Sequence, residues 1–197
     1  MMDLDKILNI RQANLPPTRG RVLISNPFLS DYFFKRSVVL LVDHGSEGSF
    51  GVIVNKPLDV KLNQITKEFS HSESSVYLGG PVKTEGVFYL HSLGDRIPGS
   101  LEVLEGVYWG GDLESLNLIM KAEPDLMPGN VRFYIGYAGW VSEQLNDELE
   151  NRSWLVAETH PEEVIGHYGP DLWQQKVQSF GKSFEPWLNF PPDPSFN

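Results

Sequence analysis

Cysteine is missing altogether from the 197 residues. Its absence excludes disulfides, thiolate nucleophiles and cysteine-ligated zinc or iron–sulfur centres. Long apolar runs are missing too: no stretch approaches the roughly 20 residues that a helix needs to cross a bilayer. The opening residues, Met1-Met2-Asp3-Leu4-Asp5-Lys6, lack the basic-then-apolar order of a secretion signal. These absences predict a cytoplasmic protein with no membrane partner. Basic charge is scarce, at 16 Lys+Arg against 26 Asp+Glu for a net charge of -10. The deficit lies in the second half: residues 1–100 hold 11 basic and 10 acidic side chains, residues 101–197 hold 5 and 16. Nucleic-acid affinity depends mainly on cations that neutralise phosphates, and only the pairs Arg19/Arg21 and Lys35/Arg36 concentrate positive charge. A nucleic-acid partner is therefore disfavoured.

What is present fits an ordinary globular domain, with 41% hydrophobic and 21% charged residues and enough length for one sizeable core. Residues 4–13 read as a short helix that Pro16-Pro17 terminates. Val22 to Ile24 is β-branched and apolar, and Ser37 to Asp43 is a continuous apolar run suited to a strand buried on both faces. Phe50 to Val54 reads as its antiparallel partner across the glycine-rich link His44-Gly45-Ser46-Glu47-Gly48-Ser49. Further strands are predicted at 75–78, 86–91, 101–109, 131–137 and 154–157. Helices are predicted from the N-cap Asp112 to Ala122, over 142–150, and after Pro161 and Pro170, the last ending at Gly181. This order predicts an α+β fold with some mixed sheet. It divides into a lead-in over 1–18, one domain over 19–182 and a proline- and aromatic-rich tail over 183–197. The tail can pack on the monomer or support self-association.

Several constellations invite chemical readings. Gly45, Gly48 and Gly51 are spaced like a phosphate loop, but a strand rather than a helix follows and no Gly-Lys-Ser/Thr triplet occurs, so a hairpin turn is predicted. Ser49 lies near His44, yet the elbow Gly-x-Ser-x-Gly is absent, and a turn histidine is the expected state. His160, Glu163 and His167 have the spacing of metal ligands on one helix face, but Gly166 and Gly169-Pro170 interrupt that helix; capping and solvated surface are expected, with no metal and no cofactor.

Four segments taken in order resemble the YqgE/AlgH family of bacterial proteins. They are Gly20 to Leu29, Ser37 to His44 leading to Gly51-Val52-Ile53-Val54-Asn55-Lys56-Pro57, Leu78-Gly79-Gly80-Pro81-Val82, and Gly136-Tyr137-Ala138-Gly139-Trp140 with Gln144-Leu145 and Trp154-Leu155. The resemblance spans about Leu15 to Gly181. It implies a bifurcated β-sheet closing into a pseudo-barrel with flanking helices, and a family often labelled as transcriptional regulators without an established activity. This chain departs from the family after Trp140, where a glycine and Pro-Gly-Gln-Leu-Glu are usual and Val141-Ser142-Glu143-Gln144-Leu145-Asn146 stands instead.

Polar residues beside apolar strands need partners, which makes Asn26, His44, Asn55 and Gln144, with Gly79 and Gly80, the candidate pocket. Three functions are compatible with this reading. The first is a non-enzymatic regulatory binding protein with a protein or small-molecule partner. The second is a hydrolase or nucleotide-processing enzyme near His44 and Asn55. The third, direct DNA binding, is opposed by the charge.

Overall fold

The computed structural model describes residues 15–29, 31–166 and 169–190. The helix expected over 4–13 lies outside them. Ten strands form one sheet: β1 (Val22–Ser25), β2 (Val38–Gly45), β3 (Gly48–Ile53), β4 (Pro57–Lys61), β5 (Ser75–Leu78), β6 (Val82–His91), β7 (Leu101–Leu104), β8 (Val107–Trp109), β9 (Val131–Val141) and β10 (Trp154–Ala157). Six α-helices flank it among the described residues: α1 (Leu62–Ile65), α2 (Leu113–Ala122), α3 (Gln144–Glu150), α4 (Pro161–Ile165), α5 (Leu172–Ser179) and α6 (Glu185–Leu188). The fold is α+β, as the element order predicts.

The strand order is β10-β1-β2-β3-β9-β6-β8-β7, with β5 pairing both β4 and β9 off that path. Every pairing is antiparallel except β5 with β9. The sheet forks on β9. Its first half, Phe133 to Ile135, pairs with Val76 to Leu78 of β5, whereas its end, Ala138 to Val141, pairs with Gly51 to Gly48 of β3. Gly79 occupies the fork: its N–H donates to the Ile135 carbonyl at 2.8 Å and its carbonyl accepts from the Ile53 N–H at 2.9 Å. Bifurcation is therefore present, but closure is not. No ladder among the described residues joins β10 to β7, so the pseudo-barrel implied by the resemblance is corrected to an open, forked sheet.

Other differences from the sequence reading have local causes. The single strand predicted over 101–109 is a hairpin of β7 and β8, because Gly106 adopts φ 73 and turns the chain after Leu104. Strand β9 continues past Tyr137 to Val141, since β3 pairs with its end. Glu143 takes φ 64, a left-handed backbone that a residue with a Cβ tolerates less well than glycine.

Strand β2 is buried on both faces, as its apolar run predicts. Val38, Leu40 and Val42 pack into a cluster with Trp173 and Trp187, while Val39 and Leu41 pack with Trp140 and Trp154 on the other side. A third cluster lies under β5, β6 and the first half of β9, where Leu116 and Met120 of α2 meet Phe133. Trp187, assigned to the tail by sequence, is fully buried in the first cluster. Burying a tryptophan of that size contributes roughly 4–6 kcal/mol at most, so α6 is part of what holds the core.

The fork predicts a specific sensitivity. A Cβ on Gly79 would lie 2.1 Å from the Gly136 carbonyl oxygen, and one on Gly136, at φ 67, would lie 2.3 Å from the Gly80 carbonyl oxygen. Gly79→Ala or Gly136→Ala should each cost about 3 kcal/mol and lower the thermal midpoint by roughly 6–12 °C. Gly129→Ala, at φ 80 but in open space, should cost about 1 kcal/mol. Equal midpoints for the three variants would mean that the crowding at the fork is unimportant.

Candidate functional site

The candidate residues named from sequence do not converge on one cavity. Asn26 donates to the Arg152 carbonyl at 3.0 Å and accepts from the Phe28 N–H at 2.9 Å. Asn55 accepts from the Val38 N–H and donates to the Arg36 carbonyl, both at 2.9 Å. Gln144 accepts from the Val141 N–H at 3.1 Å and donates to Glu148 at 2.9 Å. Each amide thus ties down neighbouring backbone, the usual fate of a buried polar side chain. Gly79 and Gly80 sit in the fork. Asn55 also lines a pocket beside Arg36 and Lys56, well removed in the fold from His44.

His44, expected as a turn histidine, meets Ser49 across the hairpin. The two are cross-strand partners in the β2–β3 hairpin, and Nδ1 of His44 lies 2.7 Å from the Ser49 hydroxyl. Among the described residues no other side chain hydrogen-bonds the imidazole, so nothing orients it as the third member of a triad would. The hairpin itself is the short turn that the glycines predict, with Gly45 opposite Gly48. His160 and Glu163 form a helix cap: the Glu163 carboxylate accepts from the His160 N–H at 3.0 Å, the Thr159 hydroxyl at 2.7 Å and Lys176 Nζ at 2.6 Å. Burial opposes its charge, but these donors outweigh the burial and hold its pKa below the usual value. His167 lies outside the described residues. Among those described, no group of three or more His, Cys, Asp or Glu side chains could hold a metal ion.

A further concavity has no counterpart among the candidate pocket residues named from sequence. It is a groove of about 620 Å³ where β3, β6, β8 and β9 meet, floored by Phe50, Phe88, Trp109 and Tyr137. The four rings close a cycle: Phe50–Trp109 at 5.9 Å, Trp109–Phe88 stacked at 5.6 Å, Phe88–Tyr137 at 5.5 Å and Tyr137–Phe50 at 6.0 Å between centroids. All four are half-buried, presenting part of their surface to the opening. Asp43, the cross-strand partner of Phe50, and Glu47 in the hairpin turn stand at the rim. Asp43 pairs with Arg19 at 2.8 Å, whereas Glu47 has no ion pair among the described residues, leaving an unmatched carboxylate beside aromatic faces. Val141, 73% exposed, adds an apolar edge where the family pattern has glycine. His44–Ser49 is one register step from Asp43–Phe50 along the hairpin, and Ser49, unlike His44, is among the residues that line the groove.

The fold thus defines a class of α+β domain built on an open, forked sheet with an aromatic groove at the fork. The chain belongs to the AlgH-like family, whose model matches residues 22–185. UPF0301 proteins of Bacteroides thetaiotaomicron and Bacteroides fragilis are each 41% identical to it, over 100% and 97% of both chains respectively. Among solved structures, a protein of Corynebacterium diphtheriae shares the fold with a TM-score of 0.74 at 24% identity, over 96% of this chain and 100% of that one. The solution structure of the AlgH protein from Pseudomonas aeruginosa has a TM-score of 0.69 at 25% identity, over 90% and 97%.

Gln144 acts through a clamp that can be tested. Glu148 accepts the indole N–H of Trp140 at 2.9 Å and of Trp154 at 2.7 Å, besides the Gln144 amide. Glu148→Ala strands two buried indole donors and should cost about 3 kcal/mol, with a shift in tryptophan emission. Gln144→Ala should cost about 1 kcal/mol. Equal costs by urea denaturation would show that the carboxylate is not the centre of the clamp.

Proposed function

We propose that this is a non-enzymatic binding protein of the cytoplasm, acting in regulation through a partner that presents a cationic side chain to the aromatic groove. The observation that carries this reading is the closed cycle of Phe50, Phe88, Trp109 and Tyr137 beside the unpaired Glu47. Aromatic faces carry negative electrostatic potential, and a cation held over them gains roughly 0.5–2 kcal/mol depending on how far it is desolvated. The Glu47 carboxylate adds attraction of the same sign, and the net charge of -10 steers a basic partner toward the surface. The same charge opposes direct DNA binding, and the regulatory role itself comes from the family resemblance.

Titration of the labelled protein with a short lysine-bearing peptide, followed by NMR, tests the proposal. The ring resonances of Phe88 and Tyr137 should shift saturably, and the acetyl-lysine version should be at least roughly tenfold weaker. Trp109→Ala should abolish the response, and Glu47→Gln should weaken it. Equal binding of the charged and acetylated peptides would overturn the reading.

The Nδ1–Oγ contact of 2.7 Å between His44 and Ser49 favours a second reading, a hydrolase in which His44 activates Ser49. A fluorophosphonate probe separates the two. The binding reading predicts no labelling; labelling of Ser49 that His44→Ala removes would establish the enzyme.

A further inference from the structure

A second cavity, of about 470 Å³, lies between the residue 31–36 turn, the Asn55-Lys56-Pro57 link and the start of α5. It is independent of the aromatic groove and has the opposite charge. Lys35, Arg36 and Lys56 line it, and Asp171 is the only acidic lining residue among those described. In a chain of net charge -10 such a concentration has an energetic cost, because half-buried cations lose hydration and repel one another. The usual remedy is a carboxylate, and among the described residues none lies within ion-pair distance of these three. Backbone carbonyls and a ring hold Arg36 and Lys56 instead. Lys56 Nζ donates to the Phe33 carbonyl at 2.6 Å, and the Arg36 guanidinium lies 5.0 Å over the Trp173 ring and donates to the Phe190 carbonyl. Arg36 also keeps a left-handed backbone, φ 49, which a non-glycine residue adopts at a cost. Asn55 clamps that conformation through its bond to the Arg36 carbonyl.

We infer that this cavity is a binding site for a small organic phosphate monoester, its dianion supplying the charge that Lys35, Arg36 and Lys56 lack. Donor type selects the chemistry. Three cations face Asp171 in the lining and Asp31 beside Lys56, so the cavity keeps a net positive charge that a bound anion neutralises. Lysine ammoniums and an arginine fork are the donors that phosphate oxygens accept best. Leu58 and Leu78 form apolar walls, and Tyr32 is 83% exposed at the mouth, so the cavity has room and surface for the organic part.

Phenyl phosphate, inorganic phosphate and benzoate are the probes, titrated against the full chain by calorimetry. Phenyl phosphate should bind saturably, with inorganic phosphate weaker and benzoate at least roughly tenfold weaker. Lys56→Met should reduce phenyl phosphate binding at least roughly tenfold. Lys35→Gln, at a partly exposed position, should reduce it several-fold without disturbing the fold, so the test survives if the first variant is unstable. Burial, partly offset by Asp31 and slightly reinforced by Lys35, lowers the pKa of the Lys56 ammonium to about 8. A bound dianion facing Lys56, with Lys35, Arg36, Asp31 and Asp171 around it, raises that pKa, so binding at about pH 9 should take up protons. That uptake, read from buffers of different ionisation enthalpy, should vanish in the Lys56 variant. No saturable binding of phenyl phosphate, benzoate or inorganic phosphate binding as tightly, or unchanged affinity in Lys35→Gln would each overturn the assignment.

Discussion

The arrangement of the whole sheet depends on one peptide unit, that of Gly79, wedged where β3 and β9 diverge. Its N–H serves β9 and its carbonyl serves β3, so both strands remain hydrogen-bonded at the point where neither can pair with the other. A side chain there would have to occupy the space of the Gly136 carbonyl. The left-handed backbone of Gly136 is the matching half of the device, because it changes the parity of β9. Tyr134 and Tyr137, three residues apart, both pack toward the cluster of Val38 and Trp173, whereas Phe133 and Ile135 face the α2 cluster. Strict alternation would separate the two tyrosines. The groove therefore results from the fork: without the change of parity Tyr137 would not meet Phe50 and Phe88.

The fold was largely legible in the sequence wherever a single element decided its own fate. The run from Val38 to Val42 announces a strand buried on two faces, and Asp112, Pro161 and Gly181 mark helix ends that the structure keeps. Relations between elements were not legible. Nothing in the local pattern of 101–109 separates a strand from a hairpin except Gly106, and glycine is read equally well as a bulge. The open sheet could not be read from local pattern either, since closure depends on whether distant edges pair. The aromatic cycle draws on β3, β6, β8 and β9, four segments whose adjacency is a property of topology alone.

The side-chain amides illustrate why a polar residue beside a strand is a weak pointer to a ligand. A buried amide must find partners, and Asn26, Asn55 and Gln144 each find them in backbone or in a neighbouring clamp. The same bonds nevertheless shape the surroundings. Asn55 holds the Arg36 carbonyl and so fixes the turn that carries Lys35 and Arg36, and Gln144 reinforces the carboxylate that ties Trp140 to Trp154. These amides position the cavities without filling them.

Charge distribution distinguishes two cavities that shape alone would not. The groove has aromatic faces and an unmatched carboxylate; the pocket beside α5 has three cations and one acid among its lining. Both stand against a background of -10, yet that background acts on them differently. Around the groove it adds to the local field and widens the capture of a cation, an effect that salt screens within roughly 10 Å at ordinary ionic strength. Around the pocket it opposes the local field, so an anion approaches against long-range repulsion and is held only by contacts at short range. Selectivity there must come from geometry, namely the Asn55 clamp, the Arg36–Trp173 stack and the Lys56 anchor, which are the features that a loosely solvated surface cluster of lysines would not possess.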